Sequence, residues 1–221
     1  MRKIIGATFV SLDGVMQAPG GPTEDPTGGF EKGGWLAGLF DEETGEAIDK
    51  AFREPFDLLL GRRTYDIFAA YWPYATGDSK PMGEMFDRIG KYVVTRGDTP
   101  LEWQNSHRVA SMEALADLKR QDGPDLVIQG SSTLYPQLLA AGLIDRLTLM
   151  TFRVVLGQGK RLVGEGTPAR TMTLVDQKFT QNGNIIATYE PAGEVETGTF
   201  ATEEPSPAEL ERREKMAKGR W

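Results

Sequence analysis

The sequence predicts an α/β protein built on a mixed, mostly parallel sheet that finishes in an antiparallel hairpin at one edge. Three observations carry this. Short apolar, β-rich runs alternate with helix-like segments, the pattern of strands joined by crossover helices. Several of these runs end at once in glycine, serine, threonine or arginine, as strands do where they leave a sheet for a helix. Near the C-terminus, two alternating segments flank Asn182-Gly183. That dipeptide suits a tight hairpin turn in which both central residues take positive φ.

Residues 3–10 are apolar and β-rich and form the expected first strand. A glycine- and proline-rich stretch from Gly14 to about Gly34 follows. It is long for an ordinary connection, which marks it as a functional lid or a mobile loop. Residues 41–52 read as a helix with acidic residues in the first turn, favourable at the positive end of the helix dipole. Asp57-Leu58-Leu59-Leu60 is a buried strand ending at Gly61, with a helix starting near Thr64. Lys91-Tyr92-Val93-Val94 is another strand and ends at Thr95-Arg96. Ser111 caps a helix reaching about Arg120. Asp125-Leu126-Val127-Ile128 is the next strand, and a helix over 132–141 stops at Gly142. A long strand spans 146–154, and residues 171–180 and 184–189 make the hairpin. His107 falls in a polar loop and reads as a surface histidine. Tyr71 and Trp72-Pro73 either line the substrate side or close the core.

Residues 1–190 form one expected domain and residues 191–221 a charged tail. Within the tail, Ser206-Pro207-Ala208-Glu209 supplies an N-cap, a proline at the first helical position and a capping-box glutamate, so a charged helix to about Lys218 is expected. It is either a solvated appendage or a docking element for a partner subunit.

Composition narrows the function. Apolar residues are 39% of the chain, enough for a sizeable core. The absence of cysteine removes disulfides, thiolate metal sites and a cysteine nucleophile. With one histidine, a metal site would rest mainly on carboxylates and carbonyls. A net charge of −7 disfavours nucleic acid as a partner. The apolar start is short and runs into Ser11-Leu12-Asp13-Gly14 without a small-residue cleavage site, so it is not read as a signal peptide. No run approaches the ~20 apolar residues of a membrane span. A cytoplasmic location is expected.

Three places past strand ends carry the chemistry, on the edge where open α/β sheets bind ligands. The first is Gly61-Arg62-Arg63-Thr64-Tyr65. Two arginines at a helix start oppose the dipole unless an anion sits there; the alternative is that they splay into solvent or pair with acidic neighbours. The second is Thr95-Arg96, a hydroxyl and a guanidinium suited to a phosphate monoester, or simply a polar exit from the strand. The third is Gly130-Ser131-Ser132-Thr133-Leu134, where small residues let backbone N–H groups approach a pyrophosphate. It lacks the second and third glycines of the dinucleotide fingerprint G-x-G-x-x-G.

Together and in this order the three places resemble the dihydrofolate-reductase-like superfamily, especially its branch around the C-terminal reductase domain of RibD, the riboflavin-biosynthesis enzyme. Ser11-Leu12-Asp13-Gly14 resembles that branch's opening motif, Gly61-Arg62-Arg63-Thr64-Tyr65 is similar to G-R-x-T-[WY], and Val155-Leu156-Gly157-Gln158-Gly159 resembles the glycine-containing loop after the long strand. The resemblance implies a three-layer α-β-α fold and NADPH as cofactor. It assigns Gly61, Arg62 and Thr64 to the phosphates, and Thr95 with Arg96 to the adenosine 2′-phosphate. Gly130, Ser131, Ser132, Thr133 and Leu134 would cradle the pyrophosphate, and residues 13–18 would border the nicotinamide. It further implies hydride transfer to a C=N or C=O carbon of a small heterocyclic or pyrimidine-like substrate, as in 5-amino-6-(5-phosphoribosylamino)uracil reductase, and a homodimer paired through the C-terminal strands.

The proton source departs from the pattern. Dihydrofolate reductases carry a buried carboxylate on the first helix after a Pro-Trp pair; here Trp35 precedes Asp41 without a proline. Asp41 is a candidate acid and equally a helix cap, and Asp13 is a second candidate and equally a turn residue. Genuine dihydrofolate reduction and a non-catalytic nucleotide- or small-molecule-binding module are the rival readings.

Overall fold

Eight strands form one sheet in a computed structural model that describes residues 1–53, 55–164 and 166–220. They are β1 (Ile4–Ser11), β2 (Phe56–Gly61), β3 (Lys91–Val94), β4 (Ser106–Val109), β5 (Asp125–Ile128), β6 (Arg146–Phe152), β7 (Thr171–Phe179) and β8 (Ile185–Gly193). The spatial order is β4-β3-β2-β5-β1-β6-β8-β7. The first six in that order are mutually parallel, and β8 and β7 are antiparallel to their neighbours. The helices are α1 (Glu42–Ala51), α2 (Arg62–Tyr71), α3 (Lys80–Arg88), α4 (Met112–Arg120), α5 (Tyr135–Ala140) and α6 (Pro207–Ala217). None is long and apolar enough to cross a membrane.

Strand alternation sorts the core into two sides. Leu59, Leu126 and Ile128 pack with Leu115 and Leu118 of α4 and with Tyr135 and Leu138 of α5. Leu58, Leu60, Val93 and Val127 point the other way, onto Tyr65 of α2 and Phe86 of α3. Ala47, Ile48 and Ala51 of α1 join Ala7, Met150 and Phe152 on that same side. Helices thus cover both faces, giving the three layers of the dihydrofolate-reductase-like fold.

Three local readings change, and α3 is a helix with no counterpart among the sequence expectations. β4 lies where a polar loop was expected. Only Val109 of its four residues is buried, so hydrophobic pattern gave no sign of it, and pairing with β3 makes the strand. His107 sits in β4, exposed, with its ring 5.2 Å from that of Tyr92. α3 carries Pro81 and Gly83, both poor helix formers. Gly83 is there because a Cβ would lie 2.5 Å from the Trp72 carbonyl. Trp72 packs on Phe86 in the core, whereas Tyr71 is exposed.

The hairpin turn is longer than a two-residue link. Thr180 N–H donates to the Asn184 carbonyl and Gly183 N–H to the Thr180 carbonyl, both at 3.0 Å. Gly183 takes φ 84°, but Asn182 does not have positive φ. Finally, α5 starts at Tyr135 instead of Ser132, because Gly130 (φ 71°) and Ser131 (φ 60°) turn left-handed and spend residues 131–134 on a tight turn.

The tail helix forms as its capping residues require: Ser206 Oγ accepts from Glu209 N–H, and no residue of α6 is buried.

Candidate functional site

The two ends of the sheet differ in chemistry. At the N-terminal edge, buried Arg2 pairs with Asp57 and lies 4.7 Å over the Tyr92 ring. Lys119 there bonds Asp145 and the Leu143 carbonyl, and Asp145 also accepts the Ile4 N–H. These pairs saturate one another and hold the sheet together. At the C-terminal edge the turns contain glycine, serine and threonine, and donors remain exposed. β1 leaves this edge toward β2 and β5 leaves it toward β6, in opposite directions from neighbouring strands, which is where open α/β sheets take ligands.

β2 and β5 are adjacent, so their exit turns meet. Gly61 N–H donates to Ser131 Oγ at 2.9 Å, and Ser131 N–H donates to Thr64 Oγ1 at 3.0 Å. The two turns therefore lock each other. Gly130 combines φ 71° with close approach: a Cβ there would lie 3.1 Å from Thr64 Cγ2. Leu134 is buried beneath and donates its N–H to the Ser131 carbonyl at 2.8 Å.

α2 begins at Arg62 with Gly61 as N-cap and no side-chain cap, so its first-turn N–H groups have no side-chain acceptor. Ser132 is half-buried and Thr133 exposed beside them. The hydroxyl oxygens of Thr64 and Ser131 each accept an N–H across the two turns, which leaves their O–H donors free among the described residues.

The arginines divide. Arg62 is turned to the outer flank of α2, where Nε donates to Asp66 at 2.9 and 3.1 Å and Nη1 to the Thr99 carbonyl at 2.9 Å. It borders a cleft of ≈ 550 Å³ with Tyr65, Asp66, Tyr74 and Trp103, away from the locked turns. Arg63 and Arg96 are exposed and make no hydrogen bond or ion pair among the described residues. Thr95 donates its N–H to Val109 at 3.1 Å and accepts Gly97 N–H on Oγ1 at 3.2 Å, so it shapes the turn that displays Arg96.

Asp13 is a clasp between the β1 and β6 exits. Its carboxylate accepts Leu156 N–H at 3.0 Å, Gly157 N–H at 2.9 Å and Ser11 Oγ at 2.7 Å. Arg161 lies 3.4 Å away. The Leu156 amide and the Ser11 hydroxyl pull its pKa down to about 2. Asp41 caps α1, accepting Thr44 N–H at 2.9 Å and Asn184 Nδ2 at 2.8 Å. Burial pushes its pKa up, but the hydroxyls of Thr180 and Thr44 and the Asn184 amide outweigh this and hold it below the usual range. Both aspartates are therefore ionised at neutral pH, with their oxygens filled by donors. That environment suits a structural anion and not a proton donor.

The long loop is ordered by side chains that sequence reading passed over. Gln17 Nε2 donates to the carbonyls of Asp25 and Thr27 at 2.9 and 2.8 Å, and its Oε1 accepts Lys160 N–H at 2.9 Å. Lys160 pairs with Asp25, and Trp35 Nε1 donates to the Gln17 carbonyl at 2.9 Å. Neither glutamine nor lysine stands in a motif here. The one sign was the length of the loop.

Comparison with known proteins supports the fold and gives the family. The family description "RibD C-terminal domain" matches residues 2–187. A Bacillus subtilis protein, the uncharacterized protein YyaP, is 24% identical over 196 residues, covering 85% of this chain and 94% of its own. Among solved structures, a putative riboflavin biosynthesis protein from Shewanella sp. PV-4 superposes with a TM-score of 0.62 at 19% identity, covering 87% of this chain and 99% of that one. A pyrimidine reductase-like protein from Corynebacterium diphtheriae gives 0.59 at 12% identity, covering 87% and 93%. The Thermotoga maritima diaminohydroxyphosphoribosylaminopyrimidine deaminase/5-amino-6-(5-phosphoribosylamino)uracil reductase gives 0.57 at 12% identity, covering 86% of this chain and 57% of that one. At these identities the structural matches speak for the fold.

Proposed function

Because the chain belongs to the RibD C-terminal domain family, we propose that it is an NADPH-dependent reductase that delivers hydride to a small heterocyclic, pyrimidine-like substrate. The observation that carries this reading is the pair of locked turns at the ends of β2 and β5, beside the uncapped start of α2. Bare N–H groups at a helix start favour an anion, and the absence of a Cβ at Gly130, where one would lie 3.1 Å from Thr64 Cγ2, lets the two turns close on each other. The cradle fits a pyrophosphate.

On this reading the backbone of residues 62–64 and 132–133 binds the phosphates, and the unpaired Arg96 and Arg63 meet the adenosine 2′-phosphate. Thr64 and Ser131 fix the turns with their hydroxyl oxygens and keep their O–H groups to donate to a phosphate. NADPH supplies the hydride when bound. The clasp around Asp13 and the ties of Gln17 and Lys160 hold the β1 loop against residues 154–161 and keep that side of the site in shape. Neither Asp13 nor Asp41 donates a proton; it reaches the substrate from water. The protein acts mainly through orientation and exclusion.

A homodimer accompanies this reading. One side of β7 is tied to α1 by Lys178–Glu46 and Lys50–Asp176. On the other side Leu174 and Phe179 stay exposed, with Ile185 of β8 beside Phe179, an apolar strip at the sheet edge. Sedimentation as a monomer at micromolar concentration would remove it.

The functional test is thermal stabilisation by NADPH and NADH in parallel. At a hundredfold excess over Kd, NADPH should add about 2.7 kcal/mol, raising Tm by about 5–10 °C for a chain of this size. NADH should do markedly less. Stabilisation by neither overturns the proposal, and binding without hydride transfer across a substrate panel would favour the binding module.

A further inference from the structure

The Gly-Arg-Arg-Thr motif places Arg62 at the first position of α2, next to the cradle, yet its guanidinium is engaged elsewhere. Asp66, one helical turn on, takes Nε in a two-oxygen contact at 2.9 and 3.1 Å. The carbonyls of Thr99 and Pro100 take Nη1 at 2.9 and 3.4 Å. Thr99 and Pro100 belong to the loop that begins with Thr95-Arg96, so the anchored guanidinium lies between that loop and the helix. We infer that Asp66 is a positioning residue that withholds Arg62 from the cofactor's phosphate and thereby sets how strongly the site prefers NADPH over NADH.

Two physical points support this, and the inference rests on the NADPH reading above. An arginine has five donors in a fixed fork, and spending them on a carboxylate and two carbonyls leaves less for an incoming phosphate. The anchor is reversible: the Arg62 and Asp66 side chains are 29% and 52% exposed, and an exposed i,i+4 pair is worth only about 0.2–1 kcal/mol. Arg62 can therefore be recruited at modest cost, and removing Asp66 removes that cost.

The test is a double-mutant cycle on the full chain, with Kd for NADPH and for NADH measured by titration for the wild type, Asp66→Asn, Arg62→Ala and the double variant. Asp66→Asn should tighten NADPH about three- to fivefold, the scale of an exposed ion pair released, with less than about a twofold change for NADH. Arg62→Ala alone should weaken NADPH less than about twofold, since the guanidinium is already committed elsewhere. In the Arg62→Ala background the gain from Asp66→Asn should vanish, and Asp66→Glu should restore wild-type affinity. A gain that persists without Arg62 means that Asp66 acts by simple repulsion and overturns the inference. So does a large loss from Arg62→Ala alone, or no change in Asp66→Asn. A wild-type protein that binds neither nucleotide overturns the cofactor reading itself, and the inference with it; the two failures are thus separable.

Discussion

Replacing Asp13 by asparagine separates a structural anion from a catalytic acid. In the folded protein its pKa lies at about 2, against an ordinary 3.8, chiefly because the Leu156 amide and the Ser11 hydroxyl donate to it. A depressed carboxylate stabilises the fold above its unfolded pKa and loses that contribution as pH falls through the folded value. The difference corresponds to at most about 2.4 kcal/mol. The side chain is 21% exposed, so screening brings the expected figure to about 1–2 kcal/mol. Urea unfolding of wild type and Asp13→Asn across pH should show a gap of that size at pH 7, constant down to about pH 4 and closing toward pH 2. At neutral pH this is a Tm loss of about 2–8 °C. Turnover of the variant, measured well below its Tm with saturating NADPH, should fall less than about tenfold. A gap independent of pH would refute the clasp, and an intact fold with turnover lost by three orders of magnitude would make Asp13 the acid after all.

Asp41→Asn should cost about 1 kcal/mol, the scale of a perturbed helix cap, and leave the pH profile of turnover unchanged; a new or lost ionisation in that profile would return Asp41 to the chemistry. Gly130→Val forces a β-branched residue to φ 71° within 3.1 Å of Thr64, so NADPH affinity should fall at least about tenfold; unchanged affinity would put the cofactor elsewhere. Lys91 is buried, with Nζ donating to the carbonyls of Phe86 and Ile89 at 2.8 and 3.0 Å, and burial lowers its pKa to about 8. Between that value and an unfolded 10.5 the unfolded chain binds the extra proton, so Lys91 makes stability rise with pH in this window. Chemical unfolding of wild type and Lys91→Met from pH 7 to 10 should show that slope in the wild type alone.

Much of the fold was legible because its signals are local. The strand at residues 125–128, the Ser111 and Ser206 caps and the glycine stop after α5 each follow from a few neighbouring residues. β4 and α3 were not legible. Ser106-His107-Arg108 is a strand only because β3 lies beside it, and Gly83 is tolerated in a helix only because Trp72 closes over it. The left-handed pair at Gly130 and Ser131 shortened α5 for a similar reason: the turn is held by Thr64, 67 residues away along the chain.

The candidate site divides along the same line. Sequence alone pointed to which turns lie at the C-terminal edge, since strand-ending glycines, serines and threonines are short-range signals and parallel strands must all exit on one side; strand order decided which of them meet. Only the tertiary structure decided which side chains remain free there. Asp13 and Asp41 became anchors because distant amides and hydroxyls converge on them, and Arg62 was claimed by Asp66 and the Thr99 carbonyl while Arg96 was left exposed. A residue's type states what it can bond. What it does bond depends on partners that folding brings together from far apart in the chain.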